Sequence, residues 1–151
     1  IEGLKCDTAV HICYGYGIKA NTDWKQTLGS EWRQYEAIFP KLQQSAIDMV
    51  SLECHNSRVP MELIELIRGK KVMVGAIDVA THQIETPEEV AATLHKALQF
   101  VDAENLYPCT NCGMAPLPRH VAQGKLSALA QGAKLVRNDY LATHQLDDLI
   151  I

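Results

Sequence analysis

The sequence predicts an α/β fold built on a parallel sheet. Four short apolar runs alternate with longer segments in which apolar residues recur every three or four positions. The first pattern is typical of buried strands, and the second of helices that cover a sheet. Four strand-then-helix units in succession favour parallel strands joined by right-handed crossovers. No linker rich in Pro, Gly or Ser divides the 151 residues, so we expect one domain or a piece of one.

The first two strands are predicted at residues 8–13 (TAVHIC) and 48–53 (DMVSLE). Between them, a glycine-rich loop leads into a segment with helical periodicity. Pro40 lies inside this helix and should kink or split it, because proline lacks an amide hydrogen. The residues that recur on the buried face of the predicted helix are Trp32, Tyr35, Phe39, Leu42 and Ala46.

The third unit has the same order of elements. Residues 58–68 place apolar side chains on one side of a predicted helix, and Gly69 is positioned to end it. The third strand follows at 71–79 (KVMVGAIDV). The next helix starts at TPEE (86–89), where Thr86 can cap the helix and Glu89 can complete a capping box. The last elements are a fourth strand at 105–109 (NLYPC) and a helix at 118–141.

Composition and charge exclude several classes of function. The net charge is −4, with both signs spread along the chain, so no basic surface for nucleic acid is expected. No apolar run approaches the roughly 20 residues that span a membrane, and no signal peptide is visible. Five irregularly spaced cysteines favour a reducing cytoplasm, where cysteine clusters serve metals or catalysis. Because the sequence begins at Ile1 and not at Met, we expect a partial chain.

Potential metal ligands lie at the carboxyl ends of the predicted strands. His11 and Cys13 end the first strand, Glu53 ends the second, and Cys112 lies just past the fourth. Because the carboxyl ends of parallel strands share one edge, we expect these side chains to converge. Imidazole, thiolate and carboxylate are ordinary zinc ligands, and two sulfurs disfavour magnesium and calcium. The sequence therefore predicts a Zn²⁺ site.

Such a site is suited to activating a thiol. The carboxylate is the exchangeable ligand, so a substrate thiol can replace Glu53 and be held as a thiolate. Asp78, near the end of the third strand, and His82, in the loop that follows, are candidate catalytic residues on the same edge. Asp78 can orient a ligand or cap backbone amides, and His82 can equally be a solvated loop residue.

Each candidate ligand also has a purely structural interpretation. His11 and Cys13 can be core residues, since cysteine is among the most buried side chains. Glu53 can pair with Arg58. The CTNC motif at 109–112 can be a redox pair, although it does not lie directly before a helix, where a thiol pKa would be lowered. Packing within the strands is expected for Cys54 and Cys109.

Four spaced motifs together resemble one known family. HICYGYG, VSLECHNSR, VGAIDV followed by ETPEEV, and CTNCGM resemble the catalytic barrel of the cobalamin-independent methionine synthases, and its core-type members most. The resemblance runs from about Cys6 to Leu141. It implies a (β/α)8 TIM-type barrel, of which residues 1–151 supply about the last four β/α units, the C-terminal half. The zinc ligands that it implies are His11, Cys13, Glu53 and Cys112.

The resemblance also implies a reaction and its partners. The family transfers a methyl group from a methylated folate to the thiol of homocysteine and forms methionine. We therefore expect a methyltransferase that uses homocysteine, a methylated folate or related donor, and either the remainder of the barrel or another copy of the chain. Neither nucleic acid nor membrane is expected as a partner. Two alternatives stay open: a thiol alkyltransferase with a corrinoid or coenzyme M-type partner, and a non-catalytic zinc-stabilised module.

Two features depart from the family's pattern. The segment at 14–32 looks longer than in the standard family and adds residues near the predicted site. Ala80 stands where the full-length synthases have a histidine, and the nearest histidine is His82. The identity of the methyl donor and the proton donor to its leaving group therefore stay open.

Overall fold

The computed structural model describes Ile1 and residues 3–147. The predicted domain at 1–151 also includes Glu2 and residues 148–151, which lie outside the described residues. Four parallel strands form one sheet, in the order in which they follow along the chain. The strands are β1 (Ala9–Ile12), β2 (Met49–Glu53), β3 (Lys71–Gly75) and β4 (Leu106–Cys109). The α-helices are α1 (Lys19–Gln26), α2 (Phe39–Gln43), α3 (Pro87–Ala97) and α4 (Arg119–Asp147).

The two faces of the sheet differ in their burial. On one face the aliphatic side chains of the central strands are almost fully buried and form the core with the surrounding helical segments. The opposite face bears polar and sulfur-containing side chains, and His11 and Tyr107 on it are exposed. This alternation follows from the period of two in a strand. The buried core of the first face includes Val50, Leu52, Val72, Val74, Phe39, Ile64, Ile67, Val90 and Leu94.

All four predicted strands are present, but β3 ends earlier than expected, at Gly75. The side chain of Asn111 lies directly against this point. A Cβ added at Gly75 would lie 2.5 Å from Asn111 Oδ1 and 2.6 Å from the carbonyl oxygen of Leu52. The residues that follow, at 76–79, stay buried without continuing the strand. Glycine is therefore required where the loop after β4 crosses β3.

The helix predicted around Pro40 is split, which is one of the two outcomes expected, but the break comes before Pro40. A 3₁₀ helix at Gln34–Ala37 comes first, and α2 then carries Pro40 in its first turn. Proline suits this position, since its missing N–H would have no partner in the helix there. Of the predicted buried face, Phe39 is fully buried and Ala46 is exposed.

Two other helical segments also differ from expectation. The residues expected as a helix at 58–68 form a 3₁₀ helix at Met61–Ile67, and Gly69 follows it with a φ of +88°. Helix α1, inside the segment at 14–32, was not predicted. None of its residues is buried, so it leaves no apolar stripe in the sequence.

Helices α3 and α4 agree best with the sequence patterns. Thr86 Oγ1 accepts a hydrogen bond from the Glu89 amide at 3.2 Å, and Glu89 Oε2 accepts one from the Thr86 amide at 2.7 Å, which confirms the capping box. Helix α4 continues to Asp147, beyond the predicted end at 141. Of the helices described, none has both the length and the apolar character to cross a membrane.

Candidate metal centre

Three of the four predicted ligands come together at the carboxyl edge of the sheet. His11 lies in β1, Cys13 directly follows that strand, and Cys112 lies in the turn after β4. One nitrogen of His11 and the two sulfur atoms all lie within 4.8 Å of one another. The cluster therefore joins the first and the last strand of the sheet, which are far apart in the sequence.

The distance between the sulfur atoms suits a tetrahedral metal ion. Cys13 Sγ and Cys112 Sγ are 3.8 Å apart. Two thiolates bound to one tetrahedral zinc at about 2.3 Å are separated by about 3.8 Å. The donors, one imidazole and two thiolates, are also those that zinc prefers. The residues present therefore fit a zinc ion.

Ser51 fixes the orientation of the His11 ring. Its Oγ lies 2.9 Å from His11 Nδ1, and the two residues are direct neighbours in the β1–β2 register. This hydrogen bond leaves Nε2 as the nitrogen available to a metal. A hydrogen bond to the second ring nitrogen is the usual way in which proteins orient a ligating histidine.

Glu53 lies beside the cluster but is not one of the three grouped residues. It is only 2% exposed, and its carboxylate accepts hydrogen bonds from the Tyr14 amide at 3.0 Å and from the Tyr16 hydroxyl. Its role as the fourth ligand stays a prediction. Its alternative partner, Arg58, donates instead to the Gly29 carbonyl, and no Glu53–Arg58 ion pair occurs among the described residues.

Burial and neighbouring acidic groups keep the thiol and hydroxyl groups of the site neutral in the absence of a metal. Burial raises the pKa of the Cys13 thiol, more than a backbone hydrogen bond from Gly15 lowers it, and the neighbouring Cys112 and Glu53 raise it further. Burial, and then the hydrogen bond to Glu53, also raise the pKa of the Tyr16 hydroxyl. These groups resist ionisation together, and a divalent cation reverses that preference by attracting the thiolates.

The two candidate catalytic residues differ in their environment. Asp78 is 8% exposed; its Oδ1 accepts a hydrogen bond from the Ala80 amide at 2.8 Å, and its Oδ2 accepts one from Asn56 at 3.4 Å. Asp78 therefore caps local backbone, and its contact with a ligand stays a prediction. His82 is exposed, and its side chain makes no hydrogen bond within the described part of the chain.

The two cysteines of the CTNC motif face different partners. Cys112 Sγ lies beside Cys13, whereas Cys109 Sγ lies 3.9 Å from Ser51 Oγ, and all five cysteines are free thiols. This arrangement does not favour the redox interpretation. Cys54 packs against the core as expected, and burial raises the pKa of its thiol to about 12.

Asn111 was missed in the sequence, although it directly precedes Cys112. It is 1% exposed, and its Oδ1 accepts hydrogen bonds from the amides of Cys54 and His55 at 3.2 and 3.4 Å. Its Nδ2 donates to the His55 carbonyl at 2.7 Å. Asn111 therefore ties the turn that carries Cys112 to the end of β2. The only signal in the sequence was an amide side chain between two cysteines.

Comparison with known proteins gives one family. Residues 17–135 match the family described as the catalytic domain of cobalamin-independent synthase. A methionine synthase of Sulfurisphaera tokodaii is 30% identical over 141 residues, which are 92% of this chain and 36% of that protein. The methionine synthase of Sulfolobus acidocaldarius is 29% identical over 140 residues, with the same two shares.

One solved structure is much more similar. It is a B12-independent methionine synthase from Shewanella sp. W3-18-1, in complex with selenomethionine, with 77% sequence identity and a TM-score of 0.90. The match covers 93% of this chain and 41% of the Shewanella chain. The chain thus spans little more than a third of the curated relatives that it matches.

Proposed function

The chain belongs to the family of cobalamin-independent synthase catalytic domains, and from that premise we propose that it is the metal-binding half of a methionine synthase. In this proposal, residues 1–151 are the C-terminal half of a (β/α)8 barrel and supply about its last four β/α units. The remainder of the barrel completes the active site. The greater length of the methionine synthases that the chain resembles supports this reading.

The curvature of the sheet supports a barrel. Ser51 in β2 and Cys109 in β4 are separated by strand β3, and their side-chain oxygen and sulfur lie 3.9 Å apart. In a flat sheet, strands two places apart are about 10 Å from each other, and their parallel side chains keep that distance. The sheet is therefore concave on the face that bears the cluster, which is the shape of a barrel interior.

The cluster of His11, Cys13 and Cys112 is the observation that carries the proposal. These residues would hold zinc, with the Glu53 carboxylate as the fourth ligand. When bound, zinc supplies a positive charge that keeps the homocysteine thiol as a thiolate at neutral pH.

Free thiols in the chain also suit a reducing compartment, which supports the cytoplasm as its location.

The other residues of the site orient these groups. Ser51 holds the His11 ring, Asn111 holds the turn before Cys112, and Tyr16 holds the Glu53 carboxylate. The homocysteine thiolate attacks the methyl group, so that an S–C bond forms while the N–C bond of the methylated folate breaks. The leaving nitrogen then takes up a proton.

Two classes of methyl donor are compatible with the features of this chain. Ala80 takes the place of the histidine found in the full-length synthases, and helix α1 adds structure after Cys13. Both features favour a test of a methylated corrinoid or coenzyme M-type donor beside the folate. The acceptor in either case is a thiol.

The experiment is methionine formation from homocysteine by the full-length protein, with each donor offered separately. We expect product with methylated folate and zinc, and none after the metal is removed by a chelator. Product only with the methylated corrinoid assigns the thiol alkyltransferase function instead. If no donor gives product and added homocysteine contributes no sulfur ligand in X-ray absorption, the site is a non-catalytic zinc module.

A further inference from the structure

Helix α4 buries a lysine completely. The side chain of Lys125 is 0% exposed, although lysine is almost never buried without partners. Its ammonium group contacts both carboxylate oxygens of Glu85 at 3.0 Å. It also donates to the backbone carbonyls of Asp78, at 2.8 Å, and of Gln83. A single cation thus joins α4 to the loop that follows β3.

Glu85 completes the contact from the other side. It is 6% exposed, and its Oε1 accepts a hydrogen bond from the Asp78 amide at 2.9 Å. The backbone of Asp78 is therefore held at its N–H by Glu85 and at its C=O by Lys125. Because Gln83 is held as well, both ends of the loop at 78–85 are fixed to the same ion pair.

Close packing of α4 against the loop, beside the ion pair, also holds the loop in place. Gly124 precedes Lys125, and a Cβ added there would lie 2.5 Å from Cδ1 of Ile84. Helix α4 and the loop are thus in direct contact at two successive residues. The loop is held by packing as well as by charge.

The loop is connected to the metal centre through hydrogen bonds. Asp78 Oδ2 accepts from Asn56, which follows His55 in the sequence. The backbone of His55 is in turn bound by Asn111, the neighbour of Cys112. Asp78 is therefore connected, through Asn56, His55 and Asn111, to the residue that precedes Cys112.

We propose that Lys125 and Glu85 are positioning residues, which hold Asp78 and the loop at 78–85 in the geometry that the thiol-transfer reaction needs. This inference rests on the proposed function. Stability alone does not require the pair, since apolar residues of similar volume often replace a buried ion pair without loss. Apolar side chains cannot, however, hold the carbonyls of Asp78 and Gln83. Those hydrogen bonds are what the pair adds to the site.

The test compares variants of the full-length protein. Lys125→Met leaves Glu85 buried and unpaired, so we expect it to unfold more easily. The double variant Lys125→Met/Glu85→Gln removes both charges and keeps an acceptor for the Asp78 amide. We expect the double variant to recover most of the lost Tm and to keep its metal content. Its kcat/KM should nevertheless fall about 10- to 100-fold, since small displacements of positioned groups are costly in catalysis.

Amide hydrogen exchange provides a readout that does not depend on activity. In the double variant, exchange should accelerate at 78–85 and stay unchanged in β1 and β2. Lys134→Met, an exposed lysine on the same helix, is the matched control and should alter neither quantity. If the double variant fails to fold, Glu85→Asp keeps both charges but shortens the side chain that accepts from the Asp78 amide, and it should still speed exchange at Asp78 and lower kcat/KM.

The outcomes separate this inference from the function on which it rests. Unchanged exchange at 78–85, or unchanged kcat/KM, in a folded variant would overturn it. A wild-type protein without methyl transfer to any thiol would refute the proposed function, and the exchange measurement would then decide whether the pair holds the loop.

Discussion

At the scale of single residues, the candidate metal centre depends on side chains that hold its ligands. Ser51 orients His11 by a hydrogen bond of 2.9 Å, and Asn111 ties the turn before Cys112 to the end of β2. In the sequence, the residue types and positions of His11 and Cys112 indicated a metal site. The partners did not, because a serine or an asparagine acquires such a role only through the strand register and the path of a loop.

Replacement of Ser51 by alanine should weaken zinc binding. The His11 ring loses the hydrogen bond that fixes it, and loss of such a partner typically lowers metal affinity about 10- to 100-fold. Competition with a chromophoric chelator measures the affinity. Ser127→Ala, on the exposed surface of α4, is the control and should bind zinc like the wild type. Equal affinity of both variants would contradict the assigned role of Ser51.

Zinc affinity should rise with pH around neutrality. Burial raises the pKa of the Cys13 thiol, so its proton stays bound to a higher pH than in a free cysteine, and zinc must displace that proton. Binding should therefore be weaker at about pH 6 than at about pH 8, with protons released as zinc binds. Calorimetry in buffers of different ionisation enthalpy measures the release. An affinity independent of pH would show that Cys13 is not bound as a thiolate.

At the scale of elements, the sequence predicts best where one local rule dominates. Four apolar runs gave the strands, and the capping box at Thr86 gave the start of α3. Helix α1 escaped prediction because it buries no residue, so no apolar stripe marks it. Around Pro40, the sequence indicated a kink or a split but not the place of the break, since a proline in a first turn and a proline in a helix interior look alike in a periodic pattern.

Gly75→Ala should destabilise the protein and disturb the metal site. The new Cβ would lie 2.5 Å from Asn111 Oδ1 and 2.6 Å from a backbone carbonyl, which cannot move aside cheaply. We expect a loss of about 2 kcal/mol in the free energy of unfolding, as for overpacked cores, together with weaker zinc binding. Gly113→Ala is the matched control, since among the described residues nothing apart from Gly113 and its two chain neighbours lies within 4 Å of the added Cβ. Denaturant unfolding that does not distinguish the two variants would refute this close approach.

At the scale of the whole molecule, the chain leaves the concave face of its sheet open. His11 and Tyr107 on this face are exposed, and β1 and β4 are both edge strands. In a complete barrel this face is the interior and no edge remains. The sequence pattern indicated only parallel strands, and a closed barrel stays a proposal that rests on the family resemblance and on the curvature of the sheet.

The isolated 151-residue chain should therefore self-associate. Its two unpaired edge strands offer backbone N–H and C=O groups to other copies. A chimera in which this chain replaces the matching 41% of the Shewanella protein should stay monomeric, since in the proposed barrel the edges are paired. Light scattering compares the two proteins. An isolated chain that stays a 16.8 kDa monomer would contradict the half-barrel.

The most direct test of the metal centre is the zinc content per chain of the full-length protein, compared between the wild type and Cys112→Ala. Cys6→Ala, which removes an exposed thiol that is not part of the cluster, is the control. We expect about one zinc in the wild type and in the control, and almost none in Cys112→Ala, because the site then lacks one of its two thiolate ligands. Zinc retained in full by Cys112→Ala, or absent from the wild type, would contradict the account.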